Sequence, residues 1–133
     1  MRFEARLRET LARRRQNNPA YSLRAFAQFL GTDHSTLSQW LRGHRRVTRR
    51  SIQTIGPRLR MSAADIAECC ALEDEACILT ALEDRRFEPN SRWLAVTLNI
   101  GLDDVNIAIQ RLLHRRVLRM NTPHTWEHAQ AHG

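Results

Sequence analysis

Hydrogen-bonding side chains are concentrated in one short stretch, residues 34–39, where a single leucine interrupts them. They are His34, Ser35, Thr36, Ser38 and Gln39. Side chains of these types recognise base edges: glutamine can pair bidentately with adenine, and serine can bond to either base type. A major groove about 12 Å wide admits one α-helix, so the stretch predicts a base-reading helix over residues 34–41. The same residues would also suit the solvated face of an ordinary surface helix.

The surrounding residues predict a second helix and the turn that would position the first. The preceding helix is indicated by apolar residues at i, i+3, i+4 and i+7, namely Leu23, Phe26, Ala27 and Leu30. Ser22 and Asp33 are predicted N-caps of the two helices. Gly31 and Gly43 are predicted to end them, because glycine adopts a positive φ without strain. This order of elements is typical of a helix-turn-helix.

The charge of the chain favours DNA over solvent as the partner of this helix. All 21 basic residues are arginine, and fourteen of them lie in residues 1–60 against three acids, which gives that segment a net charge of +11. Residues 61–133 hold seven arginines against eleven acids, a net charge of −4. Because the positive charge is confined to one half, a phosphate backbone is the expected partner.

Residues 20–62 resemble the phage-repressor (XRE-type) helix-turn-helix family in their order of Leu-Gly, cap, polar pair, apolar anchor, aromatic and Gly. More narrowly, YSLRAFAQFLG and STLSQWLRG are similar to the N-terminal part of longer bacterial regulators with a C-terminal domain of unknown function. The resemblance implies a five-helix domain that binds double-stranded DNA sequence-specifically and regulates transcription. It implies base contacts from His34, Ser35 and Gln39, to which the polar pattern adds Ser38. The phosphate contacts we expect are Arg24, Thr36, Arg42, Arg45, Arg46 and Arg49.

The rest of the first half completes the predicted domain, residues 1–71. Apolar residues four apart predict a helix over residues 3–16. Thr48 is the expected cap of a fourth helix, which Gly56-Pro57 should interrupt because proline cannot continue the hydrogen-bond pattern. Ser62 and Asp65 resemble a capping box that opens a fifth helix, ending at residue 70 or 71.

Residues 72–121 are predicted to form a winged-helix-like module, which the resemblance also implies. We expect helices over residues 73–86 and 103–115. Between them, a short helix should begin at a cap, Ser91, and end at a left-handed turn at Asn99. A short strand is expected over residues 117–120. No glycine turn follows Met120, so a two-stranded wing is not expected. Asp103-Asp104 would repel phosphate at the start of the last helix. The module is therefore predicted to serve dimerisation, and residues 122–133 to be a tail.

The remaining polar and sulfur residues predict no metal, cofactor or catalytic site. Cys69, Cys70 and Cys77 contain no CxxC pair and are expected to be buried. His124, His128 and His132 would share one face if Thr122-Pro123 began a helix, but a frayed tail is favoured. No phosphate-binding glycine loop or acid/base pair is evident, so we expect no enzyme activity.

The sequence as a whole indicates an all-α protein that regulates transcription as a homodimer. No apolar run approaches the roughly 18 residues that a membrane span requires, and the N-terminus lacks a signal peptide's apolar region, so a cytoplasmic location without membrane contact is expected. Two alternatives remain. One is a protein-interaction adaptor that uses the helix-turn-helix as a scaffold, and the other is a regulator that responds to metal or redox state.

Overall fold

The computed structural model describes residues 1–129 and shows two compact units, Met1–Cys70 and Ala71–Gly133. Residues 1–129 form seven α-helices, one 3₁₀ turn and one antiparallel pair of strands. The fold is therefore mostly helical, as predicted, with a small β-hairpin as the exception.

Unit 1 contains four short helices, the 3₁₀ turn and the first half of a fifth helix. The elements are α1 (Phe3–Asn17), α2 (Leu23–Leu30), α3 (His34–Leu41), α4 (Arg49–Ile55), the 3₁₀ turn Gly56–Leu59 and the beginning of α5 (Ala63–Ala81). They enclose one apolar core, whose largest fully buried side chains are Phe26, Leu7, Leu30, Leu37, Ile52 and Val47. Every element therefore contributes to one hydrophobic cluster, which fixes the positions of α2 and α3.

The predicted caps and turns of unit 1 are confirmed. Ser22 Oγ accepts a hydrogen bond from the backbone N–H of Ala25 at 3.0 Å, and Thr48 Oγ1 accepts one from Ser51 at 3.2 Å. Gly31 ends α2 with φ +78°, in the left-handed region that favours glycine. The α2–α3 turn thus consists of the glycine that ends α2 and the cap, Asp33, that begins α3.

The predicted interruption at Gly56-Pro57 is also confirmed, because α4 ends at Ile55 and the chain continues as a 3₁₀ turn. Gly56 is buried, and a Cβ at this position would lie 2.7 Å from Ile66 Cγ1 in α5. A contact that short would force the helices apart, so glycine at position 56 permits α5 to pack closely.

Unit 2 contains the second half of α5, two further helices and the hairpin. These are α6 (Ser91–Leu98), α7 (Leu102–His114), β1 (Leu118–Thr122) and β2 (Thr125–His128). Their core includes Ile78, Leu94, Val105, Leu112 and Leu118, all 2% exposed or less. The predicted left-handed turn after α6 is confirmed at Asn99, with φ +54°.

The break predicted between residues 71 and 73 is wrong, since α5 runs without interruption from Ala63 to Ala81. Residues 71–76 are mostly alanine, leucine and glutamate, which favour helix, and no glycine or proline occurs among them. The cap predicted at Ser91 is also wrong by one residue. Asn90 Oδ1 accepts from the backbone N–H groups of Arg92 and Trp93, so Ser91 is the first helical residue.

The prediction that no two-stranded hairpin is completed after Met120 is wrong, and so is the frayed tail expected for residues 122–128, because two paired strands form there. Strands β1 and β2 pair antiparallel, with Leu118 opposite His128 and Met120 opposite Trp126. Thr122 Oγ1 accepts from the His124 N–H at 3.1 Å, and the hydroxyl groups of Thr122 and Thr125 are 3.1 Å apart. Proline supplies its fixed negative φ at the turn, so no glycine is required.

Aromatic packing joins the hairpin to the helices of unit 2. The Phe87 ring lies 5.6 Å from the Trp93 ring and 5.8 Å from the Trp126 ring, measured between centroids. Such contacts favour a single docked arrangement, since edge-to-face aromatic pairs add to the gain from burial. Across residues 1–129, none of the helices combines the length and the apolar character that a bilayer crossing would demand.

Candidate nucleic-acid interface

Helix α3 buries one side and exposes a polar side. Leu37 is 0% exposed and Trp40 is 4% exposed, so these two side chains anchor the helix in the core of unit 1. His34, Ser35 and Gln39, three of the predicted base contacts, are exposed. The anchoring residues hold the helix from behind, and its polar side chains remain accessible to a ligand.

The N-terminus of α3 is fixed by Asp33. Its carboxylate accepts from the backbone N–H of Thr36 at 2.8 Å and from the Thr36 hydroxyl at 2.7 Å. These hydrogen bonds, the backbone one first, lower the pKa of Asp33 from its ordinary 3.8. Arg45 Nη1 in turn lies 3.4 Å from Thr36 Oγ1. Two predicted phosphate contacts, Thr36 and Arg45, are therefore neighbours at one end of the helix.

Hydrogen bonds also join Ser38, a predicted base contact in α3, to Arg42, a predicted phosphate contact directly after α3. Arg42 donates to Ser38 Oγ from Nε at 3.1 Å and from Nη2 at 2.5 Å. Ser38 is half-buried, whereas Arg42 is exposed. Ser38 thus orients a cation beside the polar face, and its hydroxyl proton remains a donor.

The other predicted phosphate contacts lie on elements that precede or follow α3 in the chain. Arg24 is exposed in the first turn of α2, Arg49 is half-buried at the start of α4, and Arg46 is exposed in the loop after α3. Arg45 and Arg46 also line a groove of about 560 Å³ with Met1, Arg2, Glu4, Ala5, Arg8 and Gly43. All six predicted phosphate contacts thus belong to α3 or to elements next to it in the chain.

Arg8 was not predicted as part of this site. From α1 it donates to the carbonyl oxygen of Leu41, the last residue of α3, through both Nε and Nη2. Nothing in the sequence distinguishes Arg8 from the other arginines of α1, because the carbonyl that it contacts is 33 residues away. The contact between Arg8 and Leu41 forms only when the chain folds.

The cysteines and histidines do not converge within the part of the chain that the structure describes. Cys69, Cys70 and Cys77 are buried, and burial raises the pKa of the Cys69 thiol, which disfavours the reactive thiolate. His124 lies in the hairpin turn and His128 in β2, so the helical spacing considered for them is not formed; His132 lies outside the described residues. Residues 1–129 contain no group of three metal-ligating side chains.

The surface of unit 2 differs in character from that of unit 1. Asp103 and Asp104 lie in the first turn of α7, as predicted. Three of the large apolar side chains that remain exposed are on α6 and α7, namely Val96 at 84%, Leu102 at 40% and Ile107 at 55%. Carboxylates beside exposed apolar side chains suit a protein partner better than a phosphate backbone.

No protein-family model, curated protein or solved structure matches the chain.

Proposed function

We propose that the protein is a sequence-specific regulator of transcription that binds double-stranded DNA. Helix α3 enters the major groove, and His34, Ser35, Ser38 and Gln39 contact base edges. The observation that carries this proposal is the division of α3 into a buried side, Leu37 and Trp40, and an accessible side made of hydrogen-bonding residues. A reading helix requires both, because it must be held by the protein while its polar side chains reach the bases.

The phosphate contacts in this proposal are Arg24, Thr36, Arg42, Arg45, Arg46 and Arg49. Their location on α3 or on elements next to it in the chain supports the proposal, since cations close to a reading helix can bind the phosphates that border the groove. We propose that helices α1 to α4 and the first half of α5 form the five-helix repressor-like domain that the resemblance implies. In this arrangement the arginines supply affinity and register, while α3 supplies sequence specificity.

We further propose that unit 2 is winged-helix-like and joins two copies of the chain. The exposed side chains of Val96, Leu102 and Ile107 support this role, because apolar groups of this size lose contact with water when two copies associate. A homodimer would present two reading helices related by a two-fold axis, which suits paired DNA half-sites.

Selection of binding sites from random duplex DNA tests the proposal directly. We expect the full chain to enrich a palindrome with two half-sites about 10 base pairs apart, centre to centre. Recovery of unenriched sequence would contradict base readout by α3. Absence of any mobility shift with duplex DNA near 0.15 M salt would favour the adaptor alternative, in which the arginines contact an acidic protein.

A further inference from the structure

Unit 1 carries a second basic groove that the proposed DNA interface does not use. Its volume is about 750 Å³, and five arginines line it, Arg6, Arg13, Arg14, Arg58 and Arg60. The other lining residues are Thr10, Asn17, Phe29, Pro57 and Leu59, so the described walls contain no carboxylate. Five guanidinium groups around one concavity produce a strongly positive potential there.

This groove and the one beside α3 lie on opposite flanks of α1. Helical residues are separated by 100° around the axis, and Phe3, Leu7 and Leu11 form the buried stripe of α1. Glu4 and Arg8, which line the first groove, project to one side of that stripe. The side chains at positions 6, 10, 13 and 17, which line the second groove, project to the other. Helix α1 therefore separates the second groove from the end of α3.

Two of the five guanidinium groups are held in place by the protein. Arg58 Nη1 donates to the carbonyl oxygen of Phe29 at 3.1 Å. Arg14 Nη1 donates to the Tyr21 hydroxyl at 3.3 Å, and Arg14 Cζ lies 3.9 Å from the centroid of the Phe29 ring. Each guanidinium has five N–H donors, so donors remain for a ligand after these contacts are made.

The other three cations of the groove are Arg6, which is half-buried, and Arg13 and Arg60, which are exposed. Arg6 pairs with Asp65 at 3.3 Å and Arg13 with Glu9 at 3.5 Å, and these surface pairs exchange readily for a better acceptor. Arg60 adopts φ +57°, a left-handed conformation that side-chain-bearing residues rarely take. Glycine or asparagine would fit this backbone with less strain, so an arginine here is consistent with a role for its charge.

The chemistry of the groove identifies the class of ligand. The guanidinium group of arginine binds phosphate oxygens bidentately. The five positive charges of this groove can balance an anion that carries several negative charges. The volume falls within the range of small-molecule sites, and a concave groove suits a compact anion better than a wide, rigid duplex. We propose that this groove binds a small anion that carries at least two linked phosphate groups, either a nucleoside polyphosphate or an inorganic polyphosphate.

Titration calorimetry of the full chain with tripolyphosphate and, separately, with ATP tests the proposal. We expect both probes to bind at about 0.15 M salt. The double variant Arg13→Gln/Arg60→Asn should bind about tenfold more weakly or worse, since each charge-assisted hydrogen bond contributes on that order. Equal affinity for the two probes would assign recognition to the phosphate chain, and tighter binding of ATP would assign it to a nucleotide that also contacts Phe29.

The matched control is Arg85→Gln/Arg92→Gln, which removes the same charge from exposed positions of unit 2. It should leave the affinity for both probes within about twofold, because neither arginine lines the groove and both are exposed to salt. No binding of either probe at millimolar concentration, or equal weakening in the two double variants, would overturn the proposal. Duplex DNA binding by Arg13→Gln/Arg60→Asn should match that of the control, so this inference and the proposed function can fail separately. Thermal melts establish that each variant is folded.

Discussion

The guanidinium group of Arg8 in α1 donates two hydrogen bonds to the carbonyl oxygen of Leu41 at the end of α3, from Nε at 3.2 Å and from Nη2 at 2.8 Å. The last carbonyl groups of a helix have no N–H donor within that helix, so a donor from elsewhere satisfies one of them here. The positive charge also interacts favourably with the negative end of the helix dipole. Helix α1 thereby fixes the C-terminal end of the proposed reading helix.

Replacing Arg8 by alanine should lower the free energy of unfolding by about 1 kcal/mol, the usual net contribution of a hydrogen bond. Affinity should fall for all DNA sequences, because α3 would be less rigidly held. Chemical denaturation and fluorescence anisotropy measure the two effects. Arg13→Ala is the control on the same helix, since Arg13 pairs with its helical neighbour Glu9 at the surface. Equal loss of stability in both variants would contradict the role given to the Leu41 contact.

Asp33 should make the stability of unit 1 sensitive to acid. Its pKa in the folded chain is lower than its ordinary 3.8, because the carboxylate accepts hydrogen bonds from Thr36. Its contribution is therefore fully present above the unfolded value and is lost as the pH falls through the lower folded value. Asp33→Asn keeps a capping acceptor but cannot ionise.

We expect the wild-type chain to melt at a higher temperature than Asp33→Asn at neutral pH, and the difference to shrink as the pH falls below about 4. Asp33→Ala, which removes the cap, should melt at the lowest temperature of the three at neutral pH. A wild-type advantage over Asp33→Asn that stayed constant from neutral pH to acid would show that the carboxylate charge does not stabilise α3.

Gln39 should contribute sequence specificity rather than general affinity. Gln39→Ala should cost about 1–3 kcal/mol against the selected site and remove the base preference at one position, because glutamine forms a bidentate pair with a base. Gln28→Ala, an exposed glutamine of α2, is the control and should bind as the wild type does. Anisotropy titrations against a set of single-base variants of the site provide the measurement.

Arg46→Ala supplies the contrast to Gln39→Ala. A phosphate contact carries no sequence information, so affinity should fall alike for the selected site and for random duplex, and the slope of log K against log salt should become shallower by about 1. If Gln39→Ala instead weakened selected and random DNA equally, direct base readout by α3 would be wrong.

Glu75 should be important for the stability of unit 2. Its side chain is 4% exposed in α5 and pairs with Arg115 and with Arg111 Nη2 at 3.5 Å, both from the region of α7. Removing one partner of a buried ion pair typically costs about 3–5 kcal/mol, but the two arginine side chains are 32% and 47% exposed, so their charges can be rehydrated. We therefore expect a loss of about 2–3 kcal/mol for Glu75→Ala in urea denaturation. Glu83→Ala, at an exposed position, should change stability little, and a similar loss in both variants would contradict the pairing argument.

Ile107 should be part of the surface that joins two copies of the chain. It is 55% exposed on α7, and Ile107→Glu would place a charge where the proposed interface is apolar. Sedimentation should show a dimer for the wild type and a weaker one for the variant, with the dissociation constant raised about tenfold or more, because an unpaired charge is costly to bury. Gln16→Glu adds the same charge at an exposed polar position of α1 in unit 1, outside the proposed interface, and serves as the control. A monomeric wild type would contradict the proposed homodimer.

The parts of the fold that the sequence predicted correctly depend on local chemistry. Ser22, Gly31, Asp33 and Thr48 act within a few residues of their own positions, so their types and spacing were sufficient to locate the ends of α2, α3 and α4. The apolar anchor and the aromatic residue of the resemblance, Leu37 and Trp40, form the buried side of α3. His34, Ser35 and Gln39 are exposed because the helical period places them away from those two side chains.

The parts that the sequence did not predict depend on contacts between distant residues. Arg8 meets Leu41 only after the chain folds, and Glu75 is buried only because Arg111 and Arg115 meet it from α7. The break predicted between residues 71 and 73 is wrong because no glycine or proline ends the helix there, so α5 continues. The hairpin was missed because glycine was taken as a requirement for its turn, whereas Pro123 and threonine hydroxyls close it.

The hairpin turn and the turn before α3 are expected to tolerate different ranges of residue types among any descendants of this chain. Among the described residues, left-handed backbone occurs at Gly31, Gly43, Arg60, Asn99 and Arg116, so the hairpin turn is made entirely of conformations open to ordinary L-amino acids. Position 124 can therefore accept many residue types without harm to the hairpin, whereas position 31 admits few besides glycine. Mutation can thus vary the hairpin turn freely while the turn before α3 stays constant.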